Sequence, residues 1–214
     1  MVDGRNKPIG CIVVDLDNSL IMANSTRELA KFTFLRLLKK LKIADAISIA
    51  YKIALRKIRV ISHAKMKHSI IRATLNNLSD SDIESFVAKL TAKINPKVKE
   101  LIEISEQNGN RVLIATAAAE FFLPLFIKSA KINADYIGTP YTDNIADFLE
   151  TRKNEKLNKV RQYLADNNLA MEIFVTDHHD DMPLLAYNPG KNYIVSPSAS
   201  TIRALTGIHF EILR

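Results

Sequence analysis

Cys11-Ile12-Val13-Val14-Asp15-Leu16-Asp17-Asn18-Ser19-Leu20 is the stretch on which the fold turns. Four small or β-branched apolar residues run without a polar break, as in a strand buried on both faces of a parallel sheet. The run ends in an acid, a second acid follows two positions on, and a hydroxyl residue follows four positions on. Carboxylates two apart on an extended chain face one side. The same signature recurs. Arg111-Val112-Leu113-Ile114-Ala115 ends in Thr116, Ala134-Asp135-Tyr136-Ile137 ends at Gly138, and Glu172-Ile173-Phe174-Val175 ends in Thr176-Asp177. Asn192-Tyr193-Ile194-Val195 ends in Ser196-Pro197, and Ile208 to Leu213 reads as a last strand. Helical patterns separate most of these runs, which predicts βαβ units and an α/β fold.

Between the first two strands lies a long helical block, Ser25 to Ile94, with neither glycine nor proline. Ile43, Ala46, Ile47, Ala50, Tyr51, Ala54, Leu55 and Ile58 recur at helical spacing and are expected to form one core-facing stripe. Ser81 followed by Glu84 reads as a capping box opening a helix through Lys93. Asn95-Pro96 starts another helix, with Asn as N-cap and Pro at the first helical position, and Gly109 ends it. The layout predicts a catalytic α/β core of residues 1–20 and 107–214, with a helical cap inserted at 21–106.

The 214 residues are 47% hydrophobic and 25% charged, ordinary values for a globular chain. A single cysteine excludes a disulfide framework and a cysteine-based zinc cluster. No uncharged apolar run reaches about 18 residues, so no membrane-spanning helix is expected, and a cytoplasmic setting is the default reading. The charge is unevenly placed. The chain carries 30 Lys and Arg against 23 Asp and Glu, net +7. Lys31 to Arg72 alone holds twelve basic residues and one acid, net +11, leaving −4 for the rest. Such asymmetry suggests an anionic partner for the basic segment.

Ligands of open parallel sheets bind outside the carboxyl ends of the strands. There the pattern gathers Asp15, Asp17, Thr116, Asp177, Asp180 and Asp181. Carboxylates packed this closely repel one another unless a cation neutralises them. An all-oxygen donor set favours a hard divalent ion, magnesium above all.

Four segments, in order, resemble the motifs of the haloacid dehalogenase-like hydrolases. Asp15-Leu16-Asp17-Asn18-Ser19-Leu20 is similar to the first, D-x-D-x-T/S-L, with Asn18 where Gly is common. Val112 to Thr116 resembles the second, an apolar strand ending in Thr or Ser. Asn154-Glu155-Lys156 resembles the third, an isolated Lys; Lys159 competes for that role, and Lys156 is preferred because it opens a helix whose buried face carries Val160 and Leu164. Phe174 to Leu185, with Asp177 and Asp181, resembles the fourth. The insertion lies where the phosphoserine-phosphatase-like subgroup carries its cap, and Ile194 to Ser198 resembles that subgroup's run after the fourth motif. The resemblance implies a Rossmann-like parallel sheet with helices on both faces and an inserted all-helical cap.

It also implies roles. Asp15 would be the nucleophile forming an aspartyl-phosphate, and Asp17 the general acid and then base. Thr116, Lys156 and Asn18 would hold the substrate phosphate. Asp15, Asp17, Asp177 and Asp181 would hold or surround Mg²⁺. The expected activity is Mg²⁺-dependent hydrolysis of a small phosphate monoester, polyanionic or lipid-linked if the basic cap sets specificity. Phosphotransfer through the same aspartyl-phosphate is the alternative. A further alternative is a catalytically quiet module docking its basic segment on a polyanion or membrane surface; nucleic acid is not the expected partner. A receiver-type signalling domain is disfavoured by the long insertion after the first strand. His178 and His179 are read as solvated, Asp180 as a helix cap, His63 and His68 as cap surface, Cys11 as a buried small hydrophobe, and Phe121 and Phe122 as core.

Overall fold

The computed structural model describes residues 8–213. Six parallel strands form one sheet: β1 (Ile9–Val14), β2 (Arg111–Ala119), β3 (Asp135–Thr139), β4 (Leu169–Thr176), β5 (Lys191–Val195) and β6 (Glu211–Leu213), in the order β3-β2-β1-β4-β5-β6. This is a Rossmann-like sheet. β1 sits between β2 and β4, with Ile12 opposite Val112 on one side and Ile173 on the other. The acid after β1 therefore emerges between the ends of β2 and β4, where the strand order reverses.

Strand alternation divides the core. Ile12 and Val14 point into one apolar layer, Cys11 and Val13 into the other. The second layer is closed by α7 (Asn154–Asp166) and α8 (Met182–Tyr187) through Val160, Leu164, Leu184 and Leu185. Cys11 is fully buried there, and burial pushes its thiol up to about 12, so it behaves as a hydrophobe. The first layer takes α6 (Leu123–Ala130), with Phe122 buried and Phe121 half-buried against it.

The inserted segment folds as α1 (Ser25–Lys39), α2 (Ile43–Lys57), α3 (His63–Asn77) and α4 (Asp80–Thr91). The first three pack on one another and α4 packs on α6. α5 (Pro96–Gln107) lies against β2. Its start is as the sequence predicts: Asn95 caps it by accepting from the Lys97 N–H at 3.1 Å, and Pro96 holds the first position. Gly109 takes the positive φ of 84° that follows the helix end. The α4 box is two residues earlier than the spacing suggests. Ser79, not Ser81, accepts from the N3 backbone, and Asp82 accepts from the Ser79 N–H at 3.2 Å. Asp82 also takes Lys40 Nζ at 2.7 Å and Arg36 Nε at 3.2 Å, tying α1 to α4. Ser81 lies in the first turn and has no such cross-helix partner to reward a start there. Asp82→Ala is expected to lower stability by about 1–2 kcal/mol, since a cap and two inter-helix contacts go together. Urea unfolding measures this, and an unchanged midpoint would contradict it.

Most of the stripe expected to face the core from α2 faces outward; of its members Ala46 is buried and Leu55 half-buried. Ala46 and Ile49 are buried and Ile53 half-buried, whereas Ile43, Ile47, Tyr51 and Ile58 are exposed. At about 100° per residue, α2 carries apolar residues on two separate arcs, and the neighbouring helices cover the Ala46-Ile49-Ile53 arc.

Candidate active site

Asp15 follows β1 directly and is buried. Its backbone N–H donates to Val175 O at 2.8 Å, fixing it to the end of β4. The chain then turns back sharply: Leu20 N–H bonds Asp15 O and Ile21 N–H bonds Leu16 O. Asn18 sits within this turn at φ 56°. That is the left-handed region, which Asn tolerates better than most side chains, and it accounts for Asn where the motif commonly has Gly. The turn delivers Asp17 to the start of α1, where Oδ1 accepts from the Ser25 N–H at 2.8 Å. A helix N-terminus thus holds the second carboxylate in place.

Thr116 lies within β2 rather than at its end. The strand runs on to Ala119, but its pairing with β3 breaks between Ala115 and Ala119. The break turns Thr116 and Ala117 toward the pocket. The Thr116 hydroxyl oxygen accepts from the Ala118 N–H at 3.0 Å, leaving its proton to donate.

Lys156 is buried on the first turn of α7, on the same face as Val160 and Leu164. Nζ lies 2.9 Å from Asp15 Oδ1 and 2.8 Å from Asp181 Oδ1. Lys159, by contrast, reaches Thr151 Oγ1 at 2.9 Å and does not line the pocket. Asp181 commits both oxygens: Oδ2 accepts from Lys156 at 2.9 Å and from Thr176 Oγ1 at 2.7 Å. It is the anchor of the lysine.

These side chains meet in one cavity of about 380 Å³, lined by Asp15, Asp17, Asn18, Thr116, Lys156, Asp177 and Asp181 among others. The whole lining carries six carboxylates, Glu150 and Asp180 included, against four cations, Arg56, Lys67, Arg152 and Lys156. Burial pushes the Asp15 carboxyl up to about 8; Lys156 pulls it down, and Asp181 and Asp17 push it further up. Burial also holds Asp17 above the usual carboxylate range against its hydrogen bonds from Ser25. Burial brings Asp177 up to about 6, the Asn18 side chain working the other way. For Lys156, burial disfavours the charge, but Asp15 and Asp181 outweigh it and keep the ammonium protonated. The site is short of positive charge, and its donors are hard oxygens.

Several residues around the cavity escaped sequence reasoning. Lys67 on α3 is buried, with Nζ on Ala117 O and 3.0 Å from Glu150 Oε1. Glu150 also takes His63 Nδ1 at 3.0 Å. Burial opposes its charge, yet His63 and Lys67 bring Glu150 down to about 2. His63 is thus a pocket residue, and His68 is buried, its Nε2 donating to Thr142 O at 2.8 Å and its ring stacked on Tyr141. A carbonyl has no proton, so Nε2 is the donor. Both were expected at the surface; the 141–150 loop, far away in sequence, covers them. Asp180 pairs with Arg152 and Lys153 instead of capping a helix. His178 is exposed at the cavity rim, where Nδ1 accepts from the Asp180 N–H; its ring lies 4.0 Å from the half-buried His179 ring. One signal was available for Lys67: it shares a helix face with Ile70, Ile71 and Thr74, all buried.

Solved structures of the same architecture include a Bordetella pertussis Tohama I protein of unknown function: 14% identity, 97% of this chain and 99% of that one, TM-score 0.74. A phosphoserine phosphohydrolase-like protein from Francisella tularensis subsp. tularensis SCHU S4 matches at 18% identity over 96% and 95%, TM-score 0.57. A phosphoserine phosphatase bearing a phospho-aspartyl intermediate analogue matches at 13% identity over 97% and 93%, TM-score 0.58. At such identities the likeness is one of fold. Among curated proteins no sequence matches the chain. The family model of the haloacid dehalogenase-like hydrolases matches residues 12–186. That span runs from β1 through the cap to α8 and takes in every acid of the cavity, so the chain belongs to the haloacid dehalogenase-like hydrolases.

Proposed function

We propose that the protein is a Mg²⁺-dependent phosphomonoesterase acting through an aspartyl-phosphate on Asp15. The observation that carries this reading is the Asp15–Lys156–Asp181 arrangement beside Asp17 and Thr116 in one cavity. A cation site fits the donor set: Asp15, the Asp17 backbone carbonyl and Asp177 would hold Mg²⁺, and Asp181 stays with Lys156. The ion supplies neutralisation of the charge shared by carboxylate and phosphate.

An Asp15 oxygen attacks phosphorus, and the P–O bond to the alcohol breaks. Asp17, held above the usual carboxylate range, gives its proton to the departing alkoxide. A water then attacks the phosphoryl group and passes its proton to Asp17. Phosphate leaves and Asp15 is regenerated. Thr116 donates to a phosphoryl oxygen, and Lys156 holds Asp15 in line and offsets charge that builds on the transferring group. The neighbour carrying a phospho-aspartyl analogue supports the covalent step. On this reading residues 21–106 are a cap over the cavity, and its Arg56, His63 and Lys67 are among the lining residues. These three, with Arg152, favour a small phosphate ester bearing a second anionic group.

The test is hydrolysis of an aryl phosphate by the full chain with added Mg²⁺. Turnover that EDTA abolishes is expected, and Thr116→Val is expected to cut kcat about 10²-fold, as loss of one charge-stabilising donor does. Inactivity with Mg²⁺ across a broad phosphate-ester panel would overturn the reading.

A further inference from the structure

We propose that the outward face of α2 docks the protein on an anionic lipid bilayer. Ile43, Ile47, Tyr51 and Ile58 on or at the end of α2 are exposed, as are Leu41 and Val60 in the turns beyond its ends, with Leu41 83% and Ile58 68% accessible. On the helix itself, Ile43, Ile47, Ala50, Tyr51, Ala54 and Ile58 fall within an arc of about 120°. The packed arc, Ala46-Ile49-Ile53, is a different one, so the cap core does not need these residues.

The turns at both ends of α2 add to the argument. Leu41 and Arg59 occupy positive φ, 57° and 62°, where glycine would be easier. Each carries a large exposed side chain at its own end of α2.

Charge selects the occupant. Lys57 borders the apolar arc and Arg59 stands just beyond the end of α2, and neither forms an ion pair with a carboxylate of the described residues. Asp45 is the single acid of α2. An apolar strip bordered by free cations with aliphatic stems suits the headgroup layer of an anionic bilayer, where the apolar residues enter and the cations meet phosphates. A second copy of this chain would bring the same +11 segment against itself. A nucleic acid would leave Ile47, Tyr51 and Ile58 against phosphates. α2 also sends Arg56 to the cavity from its opposite side, so docking would hold the cavity near the membrane surface.

Vesicle sedimentation of the full chain tests this. Binding to phosphatidylcholine–phosphatidylglycerol vesicles is expected to be at least about tenfold tighter than to phosphatidylcholine alone, and to weaken with salt. The triple variant Ile47→Glu, Tyr51→Glu, Ile58→Glu should lose about 100-fold in vesicle affinity. Its circular dichroism and its aryl phosphate turnover should stay at wild-type level. Lys57→Glu with Arg59→Glu should abolish the preference for anionic vesicles. Wild-type protein left in the supernatant with anionic vesicles would overturn the proposal, as would unchanged binding by the triple variant. So would a lipid-free dimer that the triple variant converts to monomer, or duplex DNA binding of equal strength that survives it. Docking is independent of the phosphatase reading: Asp15→Asn should sediment with vesicles as wild type does.

Discussion

Asp15→Asn is expected to bring phosphate-ester turnover down by about 10⁴-fold or more while making the metal-free protein more stable. The first half follows from the nucleophile. Asn keeps the shape of the side chain but has no anionic oxygen to attack phosphorus, and removing a covalent nucleophile costs most of the rate. The second half follows from the crowding. Asp15 is buried beside Asp17 and Asp181, and its carboxyl is pushed from 3.8 to about 8. A carboxyl with a raised folded-state pKa costs stability above its unfolded pKa. The cost grows from about pH 4 to about pH 8 as the folded protein is made to ionise. Asn carries no such cost, and Lys156 keeps Asp181 as an ionic partner. In EDTA, Tm of the variant should exceed wild type by a few degrees at pH 8, at about 2–4 °C per kcal/mol, and the gap should close toward pH 5. A variant less stable than wild type at every pH would show that Asp15 is held ionised by Lys156 and that the cavity is not short of positive charge.

What the sequence disclosed and what it concealed divide along one physical line. The strands were legible because a parallel sheet buries both faces, so each strand is a short uninterrupted apolar run whatever lies beside it. The placement of Asp15, Asp17 and Asp177 followed, since the end of each run marks the sheet's carboxyl edge. Lys156 was legible for a related reason: Val160 and Leu164 fix which face of α7 is inward, and the lysine shares it. The α2 stripe misled because two arcs of that helix are apolar, and periodicity cannot tell which one neighbours will cover. The Lys67–Glu150–His63 cluster was hidden because its partners are more than 80 positions apart, on α3 and on the loop before α7. A basic residue among eleven others reads as solvated until its partner is seen.

Lys156→Ala should damage both activity and stability, and the two losses should separate by pH. Lys156 is the ammonium between Asp15 and Asp181, 3% accessible. Removing one member of a buried ionic cluster leaves the others uncompensated, typically at about 3–5 kcal/mol. Here two carboxylates are orphaned, so a Tm drop on the order of 10 °C is expected at pH 8 without metal. Asp15 loses the ammonium that was lowering its pKa, so it takes up a proton more readily as pH falls. The stability deficit should therefore shrink by pH 5, whereas loss of an exposed salt bridge would leave a deficit nearly constant between pH 8 and pH 5. Saturating Mg²⁺ should also recover part of it by returning positive charge to the same carboxylates. Turnover should not recover under either condition, because Asp15 is then protonated or no longer held by an ammonium, and a loss of about 10³-fold is expected throughout. Lys159→Ala supplies the contrast. Its Nζ meets Thr151 Oγ1 outside the cavity, so less than about 1 kcal/mol and near-normal turnover are expected. If Lys159→Ala proved inactive and Lys156→Ala retained turnover, Lys156 would be only a structural counter-ion and Lys159 would be the lysine that steadies the transferring phosphoryl group.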